Sequence, residues 1–405
     1  MKGDYFDSET NLVRARAISP HSLQRWQRQL HSVPRALKII IVTTTALALF
    51  FGLRFHIHQE RDFALKQTPS DFTALAQAQP EALWHTSQTV RQRNGTHIGD
   101  RYVYMRQLGE GREGSAALYL DLTDREVVVV KTYYGTTRNP IPQALAGDFE
   151  DFSWKWQAEI EASMLLGSWK NGDETAYVPL RDYFVLQSEE DSQWHWAIVT
   201  PFVEAGTLEN LATATKIHER TPQKLDKIFR PVFNRVLENL QGLHAAGYCH
   251  DDIKPDNIFI ADTKHWLLGD LGNVRHIEHA WHATARWQRE NQWANCALND
   301  VRRLLKTYLN FLRDASGDQS GFGQALYAEE QAWSKMYWQF MRNPISDEAT
   351  LHLSRYHDPA DEPEWKSDSA LAVVEDACLR RKIHLELRTM ALHYQLRDWW
   401  PFRRC

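Results

Sequence analysis

From about Gly99 onward, short stretches of apolar residues give way to longer helical patterns. Arg101–Leu108, Ala116–Leu122 and Val127–Tyr133 are brief runs rich in Val, Tyr and Leu, the composition of strands. A helix is expected over Phe152–Leu166, then strands near Val178–Leu186 and Trp196–Phe202. Beyond Leu208 the apolar positions recur with helical spacing over Lys224–Ala246, Leu298–Arg313, Gln324–Met341 and Leu371–Leu396. Strands first and helices later predict an α+β chain, a sheet-rich lobe followed by a helical one. No internal repeat is visible.

One run stands apart from this pattern. Ile39–Leu53 is 15 residues without a charge, bounded by Lys38 and Arg54. A spanning helix wants about 20 apolar residues. Adding Ala36, Leu37 and Phe55, with the flanking cations reaching toward the interface, brings the run close to that length. A buried core helix or a cleaved leader would show the same run, but 38 residues precede it and no small-residue cleavage pattern follows. A single uncleaved span over residues 37–55 is therefore expected. Residues 1–38 carry seven Lys/Arg and three acids, whereas residues 54–70 offer only the cations Arg54, Arg61 and Lys66. The positive-inside rule then keeps the N-terminus cytosolic and sends the bulk of the chain across, a type II signal anchor with a lumenal or extracellular domain. Asn94-Gly95-Thr96 is a glycosylation sequon on that side. The expected organisation is a basic tail (1–36), the anchor (37–55), a polar Gln/Ala/Thr-rich stalk (56–98), a folded domain (99–395) and a short tail (396–405). That tail mixes aromatics with cations, suited equally to a membrane surface or to docking.

Composition narrows the class. The 405 residues include 47 Lys+Arg and 52 Asp+Glu, a net charge of −5, with 12% aromatics, which excludes a chain disordered throughout. Four cysteines are too few for a disulfide scaffold, and a single long apolar run excludes a multi-span protein. No nucleic-acid partner is expected at this charge. Cys249, Cys296, Cys378 and Cys405 contain no C-x-x-C. Cys249 reads as a buried small hydrophobe; a lumenal domain would allow one disulfide, of open connectivity. His276, His279 and His282 are three apart, but lack the cysteines or paired acids of a zinc site and read as packed or solvated.

Four elements carry chemistry. Gly109-Glu110-Gly111-Arg112-Glu113-Gly114 is a G-x-G-x-x-G between two expected strands. A dinucleotide fold needs a helix after it; here Ala116–Leu120 continues as strand, so the loop is a hairpin lid whose amides can approach phosphate oxygens. Val127-Val128-Val129-Val130-Lys131 ends in a lysine placed to reach under that lid, although such a lysine is usually an exposed strand end. His250-Asp251-Asp252-Ile253-Lys254-Pro255-Asp256-Asn257 has the spacing His-x-Asp-x-Lys-x-x-Asn. It offers a carboxylate to accept a proton, an ammonium to steady a phosphoryl group and an amide oxygen for a divalent cation. Leu268-Gly269-Asp270-Leu271-Gly272 supplies an aspartate suited to Mg²⁺.

With these elements in this order, the sequence resembles the eukaryotic protein-kinase family over roughly residues 99–395. The resemblance implies a bilobal fold with ATP and Mg²⁺ between the lobes and a protein as substrate. It assigns Leu108, Gly109, Gly111, Gly114 and Lys131 to ATP, Asp252 to the catalytic base with Lys254 as its helper, and Asn257 and Asp270 to the metal. Thr200–Gly206 looks like the connector between lobes, where the Pro201 carbonyl and the Val203 amide would meet the adenine edge. Asp300 matches the buried aspartate that supports the catalytic loop. The partner of Lys131 is Glu159 or Glu161, which lie on different helix faces; Glu159 is preferred.

The sequence also departs from the family. Asp251 stands where an arginine is usual, so a phosphorylated activation loop would lack its ordinary cationic partner, and little control by such phosphorylation is expected. Arg112 and Glu113 occupy the lid tip, and Val129 replaces a usual alanine. The stretch between Gly272 and Asp300 is short and lacks Ala-Pro-Glu. Asp-Leu-Gly-Asn-Val-Arg followed by Asn-Asp-Val-Arg-Arg-Leu-Leu gives a weak likeness to divergent fungal kinases. Three functions fit: a membrane-anchored protein kinase acting on Ser or Thr before Tyr, an enzyme of the same fold phosphorylating a small molecule or glycan, or a nucleotide-binding pseudokinase.

Overall fold

The computed structural model describes residues 34–66, 68, 70–72, 88–93 and, with breaks at 112–113, 135–156, 172–173, 188–193, 217–219, 291, 318 and 358, residues 96–359. The sequon asparagine Asn94, the lid-tip residues Arg112 and Glu113, the expected helix Leu371–Leu396 and the tail 396–405 lie outside the described residues. The chain divides into two compact units at Arg61/Asp62.

Helix α1 (Arg35–Lys66) has 32 residues and contains a run long and apolar enough to cross a membrane. It outruns the expected span because no proline follows Arg35 until Pro69, a residue type that disfavours helix in the position before it.

Within the second unit, the strands are β1 (Gln88–Arg93), β2 (His97–Ile98), β3 (Tyr102–Glu110), β4 (Gly114–Asp121), β5 (Val127–Tyr133), β6 (Lys170–Asn171), β7 (Glu174–Thr175), β8 (Asp182–Gln187) and β9 (Trp194–Pro201). All but the small β6–β7 pair close into a barrel in the order β1-β2-β3-β4-β5-β9-β8, with β1 parallel to β8. The sheet thus begins at Gln88, inside the stretch read from sequence as a stalk. β2 has only two residues, too few to show a period.

The pleat sorts side chains to two faces. Val128, Val130, Phe184, Leu186, Ala197 and Val199 fill one core; Tyr133, Tyr183, Val185, Trp196 and Ile198 form another with Ile160 and Met164 of helix α2 (Ala158–Leu166). The stretch 152–156 of the expected helix is outside the described residues.

The helical lobe contains α3 (Leu208–Lys216), α4 (Pro222–Ala245), α5 (Ala285–Arg289), α6 (Cys296–Ala315), α7 (Gln319–Ala328), α8 (Ala332–Arg342) and α9 (Asp347–Tyr356). Leu225, Phe229, Val232, Phe233, Val236, Leu237, Leu240 and Leu243 make the buried stripe of α4, against which Leu304, Leu305, Tyr308 and Leu312 of α6 belong to the same core. The continuous helix expected over Gln324–Met341 is two helices: Glu329 adopts φ 57, and Gln331 and Ser334 form a capping box for α8. Short strands β10 (Tyr248–Cys249), β11 (Ile258–Asp262), β12 (His265–Leu268) and β13 (Arg275–His276) frame the candidate catalytic loop; β10 pairs with β13, and β11 with β12.

Lys66, Ser70, Asp71 and Phe72 also pack here. Phe72 is 2% exposed and stacks on Tyr248 at 5.5 Å, whose hydroxyl donates to the Asp71 carbonyl at 2.7 Å. The Ser70 hydroxyl donates to the Val274 carbonyl, and Arg275 to the carbonyl of Lys66. Part of the expected stalk is therefore seated on the helical lobe.

Candidate active site

β5 sends Val128 and Val130 into the barrel, so the alternating pleat turns Lys131 to the opposite face with Tyr133. There Lys131 Nζ meets Glu159 Oε2 of α2 at 2.5 Å and Asp270 Oδ1 at 3.2 Å. The Tyr133 hydroxyl donates to the same Glu159 oxygen at 2.7 Å. Glu161, two residues on, lies on another face of the short helix. Burial pulls the Lys131 ammonium down, but the carboxylates of Glu159 and Asp270 outweigh it and hold the group above its ordinary range.

The β3–β4 hairpin forms the lid, with the Gly111 amide donating to the Gly114 carbonyl at 2.9 Å. Only one of the three motif glycines is required by packing. A Cβ on Gly114 would sit 2.1 Å from the Thr132 carbonyl oxygen, whereas one at Gly109 would meet nothing within 4 Å. Leu108 is exposed on the same hairpin. Pro201 ends β9, and Val203 lies in the connector that turns at Gly206 (φ 73) before α3.

The loop after β10 is held from below by Asp300, which is fully buried at the start of α6. Its Oδ2 accepts from the His250 amide at 2.6 Å and its Oδ1 from the Asp251 amide at 3.0 Å. His250 accepts from the Asp252 amide on Nδ1, which leaves Nε2 to donate to the Gly269 carbonyl at 3.2 Å. This histidine links the loop to the strand end that carries Asp270. Lys254 Nζ reaches Asp252 Oδ2 at 2.8 Å, and Asn257 Nδ2 donates to the backbone carbonyl of Asp252 at 2.8 Å. With its amide nitrogen so engaged, Asn257 has its carbonyl oxygen left as the group for a cation. Asp270 takes φ 54, a left-handed conformation that a short polar side chain tolerates best. Burial raises its carboxyl, but Lys131 and Lys254 overcome this and leave it below the ordinary carboxylate range. The side chains of Asp252 and Asp270 stay 21% and 33% exposed, open enough to receive a ligand.

Lys131, Glu159, Asp252, Lys254, Asn257 and Asp270 therefore converge, although they are spread over 140 residues of chain. Oxygen donors of Asn257 and Asp270, with no sulfur or imidazole in the set, suit Mg²⁺. The lysine and the glycine hairpin suit a polyphosphate.

Tyr133 gave no signal in the sequence, and neither did the grouping of the next four side chains. Asp251, His282, Arg275 and Arg303 form a buried cluster described below. His279 faces the Thr68 carbonyl at 3.2 Å and meets the His282 ring edge-on at 6.1 Å, whereas His276 packs on Tyr248. Cys249, read from sequence as a buried small hydrophobe, is fully buried and also joined to Cys296 in a disulfide, with Cα atoms 6.0 Å apart. The pairing spans 47 residues and brings β10 to the start of α6, a proximity that local sequence does not encode.

The family model described as "Protein kinase domain" matches residues 102–294. Among similar proteins, the mouse interferon-induced, double-stranded RNA-activated protein kinase is 31% identical over 19% of this chain and 14% of its own length. A serine/threonine-protein kinase of Protochlamydia amoebophila is 28% identical over 25% of this chain and 10% of its own. Mouse homeodomain-interacting protein kinase 1 is 27% identical over 44% and 13%. The chain spans less than a third of the length of each of these relatives. The matched domain and these relatives, together with the converging site residues, support a likeness to the eukaryotic protein-kinase-like family over residues 102–294.

Proposed function

We propose that this chain is an ATP- and Mg²⁺-dependent protein kinase, anchored by α1 and acting on serine or threonine hydroxyls. The observation that carries the reading is that Lys131 meets Asp270 while Asn257 holds the carbonyl of Asp252, the two sets being tied by the bond from the Gly269 amide to the Asn257 carbonyl at 2.9 Å. ATP supplies the γ-phosphoryl group, and Mg²⁺ bound by Asn257 and Asp270 would neutralise charge on its phosphates. Lys131, fixed by Glu159 and Tyr133, orients the phosphates under the Gly109–Gly114 hairpin, with Leu108 on the lid. Pro201 and Val203 offer backbone groups to the adenine edge. Asp252 takes the proton of the acceptor hydroxyl as its oxygen bonds to the γ-phosphorus and the bond to the ADP oxygen breaks. Lys254 holds the Asp252 carboxylate in place and balances the charge of the moving group. Serine or threonine as acceptor is taken from the name of the Protochlamydia relative.

The test uses the full chain in detergent with Mg²⁺-ATP and a peptide acceptor. Asp252→Asn should lower the rate by about 10²–10⁴-fold, the usual contribution of a positioned base, while nucleotide affinity is unchanged. Turnover equal to wild type in that variant would end the assignment. Phosphate appearing only on a glycan or metabolite would move the acceptor outside proteins, and nucleotide binding without transfer would leave a pseudokinase.

The disulfide between Cys249 and Cys296 supports a lumenal or extracellular position for the domain, since such bonds persist in oxidising compartments. The charge bias before the anchor points the same way. A mobility increase on enzymatic removal of N-glycans, absent in Asn94→Gln, is the expected result; cytosolic exposure of the domain to protease in sealed cells would reverse the orientation.

A further inference from the structure

The carboxylate next to the proposed base is ringed by two arginines and a histidine. Asp251 is 3% exposed and adopts φ 64. Its Oδ2 accepts from His282 Nε2 at 2.8 Å and from Arg275 at 3.4 Å, and Arg303 lies 3.7 Å from Oδ1. Arg275 and His282 belong to the segment that follows Asp270, and Arg303 to α6. Arg303 also donates to Asp300, which holds the Asp251 amide. One side chain thus ties the catalytic loop to two points of the downstream segment and to the helix beneath.

Kinase segments of this kind are commonly ordered when phosphorylation creates new arginine–phosphate pairs. Here the charges are arranged the other way round, with the anion resident in the loop and the cations in and below the segment. The segment also offers almost nothing to phosphorylate. Thr284 is the sole hydroxyl residue between Leu271 and Asn299. It is buried, donates to the Trp281 carbonyl at 2.8 Å and accepts from the Trp287 amide at 3.1 Å as the N-cap of α5. A phosphate on it would remove the donor and would not fit the packing.

We infer that Asp251 is a positioning residue for phosphoryl transfer: a resident carboxylate that, through Arg275, His282 and Arg303, seats the segment 271–295 against the catalytic loop and makes the site competent without phosphorylation of that segment. The inference rests on the reading of Asp252 as the base. The disulfide fixes the far end of the same segment, so the part played by the carboxylate can be separated from it by mutation.

The experiment compares full-length wild type, Asp251→Asn and Asp251→Glu, each with the disulfide verified by mass. Asp251→Asn should lower kcat by about 10²-fold, the scale on which small misplacements act, with KM for ATP little changed, and Asp251→Glu should recover part of the loss. Amide hydrogen exchange over residues 274–289 should rise in Asp251→Asn and stay near wild type in Asp251→Glu. Phosphatase treatment should leave the wild-type rate unchanged. Wild-type kcat and exchange in Asp251→Asn, exchange raised throughout α4 and α6 as well as the segment, or loss of activity on phosphatase treatment would each overturn the inference. If wild type transfers no phosphate at all, the functional reading fails, and the exchange comparison still decides whether Asp251 seats the segment.

Discussion

A methyl group at Gly109 would find open space, one at Gly111 would touch only the Gly114 carbonyl oxygen at 3.9 Å, and one at Gly114 would collide with the backbone of Thr132. The three glycines of one motif therefore answer to different demands. Gly114 is needed to build the hairpin, because β4 and β5 approach too closely there for any side chain. The other two are free of that demand, and in the proposed function they would offer unobstructed backbone to the nucleotide. Gly114→Ala is expected to cost at least about 1–3 kcal/mol, the ordinary penalty for overpacking, while Gly109→Ala leaves the unfolding midpoint unchanged and weakens nucleotide binding. Thermal unfolding with and without nucleotide separates the two, and equal loss of stability in both variants would refute the distinction. The same contrast explains why the glycine pattern is weak in sequence: spacing alone does not say which glycine is steric and which is functional.

The elements carrying the site were legible where their residues are contiguous. His250–Asn257, Leu268–Gly272 and Val127–Lys131 each hold their chemistry within eight residues or fewer, and strand or helix identity followed from local period. Contacts made across the chain were not legible. Phe72 stacks on Tyr248 across 176 residues, and neither side chain carries a pattern that names the other. The bond between Cys249 and Cys296 belongs to the same class: four cysteines offer six possible single bonds, and only the fold brings these two together. That bond joins β10, which leads into the catalytic loop, to the first residue of α6, beside buried Trp281 and Trp287. Closing a loop of 47 residues is worth about 4 kcal/mol by chain entropy. Cys249→Ala with Cys296→Ala should lower the Tm by roughly 5–10 °C. Dithiothreitol should lower wild type similarly and leave the double variant unaffected. A double variant that melts with wild type, or that remains sensitive to the reductant, would show that this bond does not tie the two elements.

At the scale of the whole helical lobe, one histidine joins three helices and the catalytic loop. His244 near the end of α4 directs Nδ1 to Asp347 of α9 at 2.8 Å and Nε2 to Asp300 of α6 at 3.3 Å. Burial disfavours the charged ring, but the hydrogen bonds to Asp300 and Asp347 overcome it and hold the pKa at about 9, against an ordinary 6.5. The folded state therefore binds this proton more tightly than the unfolded chain does. The resulting stabilisation is fully present below about pH 6.5, declines as pH rises and is lost above about pH 9. A shift of this size corresponds to about 3 kcal/mol at most. Denaturant midpoints of wild type should fall between pH 6.5 and 9, and His244→Gln should be less stable at pH 6 with a flatter profile. Because Asp300 also holds the amides of His250 and Asp251, the same deprotonation removes a cation from beneath the catalytic loop. Activity should then decline on the alkaline side in parallel with stability in wild type, but not in the variant. A wild-type midpoint that is level across this range, or a variant with the same slope, would assign the pH response to another group.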